Sequence, residues 1–452
     1  MQKENKMGVM PVRKLVITMS LPMMISMLVQ ALYNIVDSIF VAQVCEDALT
    51  AVSLSFAAQN MMIGVATGTG VGVNALLSRY LGAKEFERAN KVASQGVLLA
   101  VLSAAVFMLF GFFATEAFFR TEVGEDSPIF AYGVDYLKIC CIASLGIFGQ
   151  VMMERLAQAT GKTTLSMFMQ LSGAITNIIL DPILILGLGP FPRMEAKGAA
   201  VATVIGQFVA FGMGIILNLW KNKEIRLHLK NMVPDLRYIG AIYKIGVPSI
   251  IMVGIGSVMN FLFNKILLGF TPTAAAVFGV YFKLQSFIFM PIFGLNNGVI
   301  PIVAFNYGAQ NRKRIMETIR FSAIISFCIM AFGMLLMWLI PEQMLMLFKA
   351  SEDMLAIGVP ALRYISLSFI FAGVCITLGS IFQALGKSYF SMITSFARQI
   401  VVLLPVAYLL SKTGDINKVW LSFPIAEIMS LAVTLIFFSV IYKKIISKIG
   451  RV

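Results

Sequence analysis

The sequence predicts an all-α polytopic membrane protein, with 12 transmembrane helices arranged as two six-helix lobes related by a parallel repeat. Composition, internal repetition and charge placement predict it. The chain is 59% hydrophobic and only 13% charged, with a mean hydropathy of +0.86, against about 25% charged residues in soluble domains. It also repeats itself over half its 452 residues. Pro22 returns as Pro248, Asn34 as Asn260, Gln59 as Gln285, Gly68 as Gly294, Gly72 as Gly298 and Arg88 as Arg314. Later Gln158, Gly161, Lys162 and Ser166 return as Gln383, Gly386, Lys387 and Ser391. A period this long marks a duplication rather than a solenoid. The basic residues gather in alternate loops, as the third observation.

A span needs about 20 apolar residues. In order, the first half offers 15–41, 51–77, 92–115, 130–153, 164–188 and 197–220. Span 1 carries Pro22, a kink candidate because proline breaks the hydrogen-bond ladder; with its repeat Pro248 it is expected to act as a hinge. Span 2 contains Gly68, Gly70 and Gly72. No strand precedes these glycines and no phosphate-binding Lys follows, so they predict close helix packing rather than a nucleotide site. Span 4 ends near Glu154. Span 5 holds Asn177, Asp181 and Pro182, and span 6 begins near Thr203. The second half offers 241–268, 274–305, 318–340, 354–382, 391–411 and 419–442. Six spans is an even number, so both halves enter from one side. The expected division is a lobe at 1–220, a linker at 221–243 and a lobe at 244–452.

Most of the 36 Lys and Arg fall at the N-terminus, in loops after even-numbered spans, in the central loop and at the C-terminus. Arg79, Arg88, Lys162, Arg226, Arg312, Lys387, Arg398 and Lys444 are examples. Basic loops stay cytoplasmic, which places both termini inside. The net charge of +14 is then topology and contact with anionic lipid, with no nucleic acid implied. No cleavable signal is expected, because residues 1–14 are short, polar and basic. The five cysteines Cys45, Cys140, Cys141, Cys328 and Cys375 form no CxxC pair and read mainly as small core residues. The single His228 lies in a polar loop, so a zinc site or a histidine-based triad is not expected and the chain does not read as an enzyme.

Few of the 22 acidic residues lie well inside spans: Asp37, Asp181 and Glu427. A charge at the bilayer centre costs about 2.5–3.5 kcal/mol or more, so such residues face a cavity or a partner. Asp37 and Asp181 share a depth near the outer ends of spans 1 and 5. Asn177 precedes Asp181 by one helical turn and so shares its face. Thr203 enters span 6 at the same level. Two carboxylates, an amide and a hydroxyl suit a small hard cation such as Na+ at Asp37, Asn177 and Asp181, and close carboxylates also exchange protons. The second half lacks the match, since Asp37 corresponds to Phe263. Ion coupling is therefore expected in the first half. Glu427 is expected to pair with Lys283 or Arg363. Tyr33, Asn34, Gln59, Gln150 and Gln285 are candidates for the wall of a substrate cavity, because amides among aromatics suit a flat amphipathic ligand.

These motifs resemble the multidrug and toxic compound extrusion (MATE) family. The resemblance rests on SLPMMISMLVQALYNIVDSIFVAQ at 20–43, SRYLGAKEFERA at 78–89, AQATGKTTLSM at 157–167, NIILDPILI at 177–185, GAAVATVIGQ at 198–207, FNYGAQNRKR at 305–314 and QALGKSYFSM at 383–392. NxxxDP in span 5 with VDxxFV in span 1 looks most like bacterial DinF- and MepA-type members. The resemblance implies a V of two lobes around a central cavity, a bacterial plasma-membrane location and a monomer. It also implies export of organic cations in exchange for Na+ or H+, with no other cofactor, through Asp37, Asn177, Asp181 and Thr203. A lipid-linked oligosaccharide flippase of the same larger group is the alternative.

Overall fold

A computed structural model describes residues 4–42, 44 and 46–450. Most of them are helical, with no strand among the described residues. The first six spans are α1 (Val12–Ala42), α2 (Glu46–Gly82), α3 (Phe86–Phe113), α4 (Pro128–Ile142 and Leu145–Ala159), α5 (Thr163–Leu186) and α6 (Glu195–Lys221). The second six are α7 (Leu236–Leu268), α8 (Pro272–Gly308), α9 (Arg312–Leu339), α10 (Glu352–Ser366 and Phe369–Ala384), α11 (Ser388–Ser411) and α12 (Ser422–Lys444). Among the described residues, ten helices are each long and apolar enough to cross a membrane; α4 and α10 qualify when each bent pair is taken as one span. That gives the expected 12. The bends, 46° in α4 and 48° in α10, fall at repeat-related positions.

The helix ends follow local chemistry. Ser127, Thr271, Asn311 and Ser351 accept a hydrogen bond from a first-turn amide of α4, α8, α9 and α10, which satisfies donors a helix start leaves open. Gly187 ends α5 with φ 74°, a left-handed cap open to glycine. Helix α7 begins at Leu236, ahead of the expected span start at 241 and inside the stretch expected as a linker. The central stretch keeps only a short 3-10 turn at Leu229–Met232.

By packing, the chain forms two compact units. Unit 1 contains Ile25–Ile250, and unit 2 contains Lys6–Met24 and the residues from Ile251 onward. The sequence repeat divides the chain at the central loop. The packing division instead passes through α1 and α7, just after Pro22 and Pro248, both of which lie inside their helices.

The glycines of α2 explain the first of these arrangements. In unit 1, a Cβ on Gly68 would stand 3.0 Å from the Gly246 carbonyl oxygen, and one on Gly246 would stand 2.9 Å from that of Gly68. A Cβ on Gly72 would meet the Ile242 carbonyl. The repeat does the same in unit 2, where a Cβ on Gly294 would stand 2.5 Å from Met24 Cα and one on Gly298 2.8 Å from Ser20 Cα. Ser20 Oγ also donates to the Leu295 carbonyl at 3.1 Å. Small residues let helix backbones meet in a solvent that offers no hydrophobic drive between them.

The core of unit 2 is aromatic. Phe263 packs at a tilt against Phe278 and Trp420, with centroids 4.8 and 6.1 Å away, and edge-on against Phe423 at 5.0 Å. Cys140, Cys141 and Cys375 are buried as expected; Cys328 is exposed, on a membrane-spanning face where a thiol needs no partner. Cys45 lies outside the described residues.

Candidate functional site: a polar cluster inside unit 1

Helix α5 turns one face inward, burying Gln170, Gly173, Asn177 and Asp181. Asn177 and Asp181 are 3% and 0% exposed. Asn177 Nδ2 donates to Asp181 Oδ1 and to Thr203 Oγ1, each at 3.3 Å. Thr203 reaches it because α5 and α6 touch at glycine. A Cβ on Gly206 would stand 2.7 Å from the Gly173 carbonyl oxygen and 3.3 Å from Asn177 Cβ. The sequence reading missed this glycine pair, whose members lie in separate spans with no motif joining them.

Asp37, half-buried on α1, completes the cluster, and its charge and that of Asp181 act on one another. Tyr33, one turn earlier, lies within electrostatic reach of Asp37, Asp181 and Glu154. Three buried oxygens here have no hydrogen-bond partner: Asp37 Oδ1, Asn177 Oδ1 and Asp181 Oδ2. Buried polar atoms nearly always find one. A cation or proton would supply it, so the donor set fits a small hard cation. All four residues expected from the sequence thus belong to one neighbourhood.

Beside the cluster lies a cavity of about 40 Å³, lined by Gln30, Tyr33, Gln150, Gln170, Asn177 and Thr203 among others. A buried water needs about 10–15 Å³ of such space, so the cavity has room for a few waters or a small ion. Of the five residues expected in a substrate wall, Tyr33 and Gln150 line this cavity. Gln59 turns elsewhere in unit 1, donating to Tyr136 Oη and Cys140 Sγ, both at 3.3 Å. Asn34 is exposed on α1, and Gln285 is half-buried in unit 2.

Unit 2 carries no counterpart of the cluster at the equivalent positions. Phe263 fills the place of Asp37 and is fully buried. Glu427 pairs with neither Lys283 nor Arg363. Its partner is Arg398, whose Nη1 donates to Oε2 at 3.1 Å. Arg398 sits within α11 rather than in a basic loop, so charge counting misplaced it. Lys283 lies over the Phe348 ring at 5.9 Å, and Arg363 is exposed on α10.

Comparison with known proteins bears on this geometry. The family model MatE matches residues 22–183 and again 248–409. Multidrug export protein MepA of Staphylococcus haemolyticus is 28% identical over 90% of this chain and 89% of its own length. MepA of Staphylococcus aureus strain MSSA476 is 27% identical over 94% and 93%. Among solved structures, an outward-facing multidrug resistance MATE family transporter of the MOP superfamily superposes with a TM-score of 0.92 at 23% identity, covering 100% of this chain and 99% of that one. A MATE in complex with MaL6 gives 0.92 at 23% identity, covering 100% of both chains.

Proposed function

Because this chain belongs to the MatE family, we propose that it is a multidrug efflux antiporter that exports amphipathic organic cations in exchange for Na+ or H+. It is not an enzyme. The observation that carries the reading is the set of three unpartnered buried oxygens on Asp37, Asn177 and Asp181. Its relatives are multidrug export proteins by name, and the duplicated helical architecture suits alternating access. The protein sits in a bacterial plasma membrane with both termini cytoplasmic, as the basic loops imply. It works as a monomer among membrane lipids.

In this mechanism the cation arrives from outside and binds Asp37, Asn177, Asp181 and Thr203. The ion acts on the shape of α1, which bends at Pro22, with Pro248 as its equivalent in α7. Drug release outward follows, and the helix resets when the ion leaves inward. Linkage then requires ion and drug to change each other's affinity by one factor.

The test is ethidium transport in proteoliposomes under an imposed Na+ or pH gradient, for wild type, Asp37→Asn and Asp181→Asn. Gradient-driven transport lost in both variants supports the reading and identifies the ion. Undiminished transport in both removes the cluster from the mechanism. Absence of ethidium transport under either gradient shifts the assignment to a lipid-linked substrate.

A further inference from the structure

We propose that unit 2 carries a second, latent site for a monovalent cation on Glu427, kept filled by the guanidinium of Arg398, so that only unit 1 exchanges ions with its surroundings. The last clause rests on the preceding assignment of the Asp37 cluster as the ion site.

Helices α5 and α11 keep one buried pattern, with a slip. Thr163, Ser166 and Met169 are buried in α5, and their repeats Ser388, Ser391 and Thr394 are buried in α11. Further along, the buried Gly173, Asn177 and Asp181 of α5 answer to the buried Gln399, Leu403 and Ala407 of α11. Thr394 to Gln399 takes five residue steps where Met169 to Gly173 takes four. The extra residue falls where the π-helical stretch Ala397–Leu403 begins. A single wide turn absorbs one inserted residue without ending the helix, and such turns are frequent at functional sites. Arg398 belongs to that turn.

The repeat fixes the depth at which Arg398 enters unit 2. Gly173 lines the unit 1 cavity, and Arg398 stands next to its counterpart Gln399. Gln150, which also lines that cavity, recurs as Cys375 of α10 at the same offset as Gln158 and Gln383. The charges of Glu427 and Arg398 both act on Cys375, and both act on Tyr281 of α8. By repeat position, the ion pair therefore holds the place in unit 2 that the cavity holds in unit 1. The ion ligands Asn177 and Asp181 have given way there to Leu403 and Ala407, and a tethered cation has come in beside them.

Glu427 has the capacity to hold a free ion instead. It is 5% exposed. Its Oε2 accepts from Arg398 Nη1 at 3.1 Å, while the buried Oε1 has no hydrogen-bond partner among the described residues. A guanidinium can grip both carboxylate oxygens in a fork; here it takes one. A carboxylate at this depth requires a neighbouring positive charge, which can be tethered or free. Carboxylate oxygens suit Na+, and a proton neutralises them equally. Helix α11 contributes Arg398 to this neighbourhood, α8 Tyr281 and α10 Cys375. Neither a phenol nor a thiol carries positive charge in any protonation state, so nothing else in this set replaces the guanidinium.

The experiment follows the melting temperature of the purified full chain in detergent as Na+, methylguanidinium or acid is added at constant ionic strength. A ligand that binds the folded state raises that temperature. Wild type is expected to respond through unit 1 alone, so Asp181→Asn should lose the response. Arg398→Ala should melt lower and gain a new stabilisation of several degrees by at least one of the three probes. The gain should persist in Arg398→Ala/Asp181→Asn and vanish in Arg398→Ala/Glu427→Gln. Arg398→Lys, which keeps a tethered cation, should show no gain. An Arg398→Ala that melts lower yet answers no probe beyond wild type overturns the latent site and leaves the pair a packing device. A wild-type response that survives Asp181→Asn and vanishes in Glu427→Gln also overturns it, because the site is then open rather than filled. No response in wild type, with the gain present in Arg398→Ala, supports the latent site and overturns the assignment in unit 1. If Arg398→Ala purifies only with Na+ or methylguanidinium present, that dependence is the expected gain. If it purifies with neither, Arg398→Gln, which keeps more of the side-chain volume, is read in the same way.

Discussion

Arg398 and Glu427 form an ion pair inside unit 2, with Arg398 Nη1 3.1 Å from Glu427 Oε2. The guanidinium comes from a π-helical stretch, Ala397–Leu403, set within α11. Such wide turns are rare and re-aim side chains within an otherwise regular helix. Glu427 is 5% exposed and its Oε1 has no hydrogen-bond partner.

Breaking this pair should cost more than deleting it. Arg398→Leu strands a buried carboxylate, a loss of about 3–5 kcal/mol, whereas Arg398→Leu/Glu427→Leu should recover most of it. Melting temperatures of the purified variants in detergent check this. Equal melting of wild type and the single variant would show the pair to be energetically idle.

Helix packing at glycine makes a sharper prediction. Gly72→Val or Gly298→Val places carbon against the backbone of Ile242 or Ser20, where no rotamer can yield, so overpacking should cost about 1–3 kcal/mol or more. Gly254→Ala, with nothing within 4 Å of its Cβ, should be silent. Monodispersity on size exclusion and melting temperature separate the two groups.

Thr203→Val removes the hydroxyl that accepts from Asn177 but keeps the side-chain shape. The apparent affinity for the driving ion should fall about tenfold, the worth of one good hydrogen bond. Thr203→Ser should restore it. Transport titrated against Na+ or pH reads the change, and an unshifted midpoint in Thr203→Val would take the hydroxyl out of the site.

The hinge assignment predicts a kinetic defect without a binding defect. Pro22→Ala and Pro248→Ala each return a donor to the helix ladder and should stiffen α1 or α7. Ethidium turnover should drop several-fold with affinity unchanged. Wild-type turnover in both would place the bending elsewhere.

Fold and site differ in how they show in the sequence. The spans are legible because hydropathy acts over about 20 residues at once, and the repeat reports itself in paired residues such as Pro22 and Pro248. Asp37, Asn177, Asp181 and Thr203 are legible because polar groups in hydrocarbon need a reason. What stays hidden depends on rotation about helix axes. Gly173 meeting Gly206, Gln59 turning to Tyr136, and Arg398 rather than Lys283 reaching Glu427 are all set by which faces touch. No spacing within a single span encodes that. The division of α1 and α7 between packing units is likewise invisible to a repeat that runs unbroken through both helices.

That division reads as a domain swap written into one polypeptide. Each repeat opens with a half-helix that completes the unit of the other, as two copies of a six-span ancestor exchanging their first segments would do. A chain severed near residue 235 yields two fragments, neither holding a whole unit, and each should be unstable alone yet recoverable as a pair when coexpressed. Stable, monodisperse preparation of either fragment by itself would argue against the exchange.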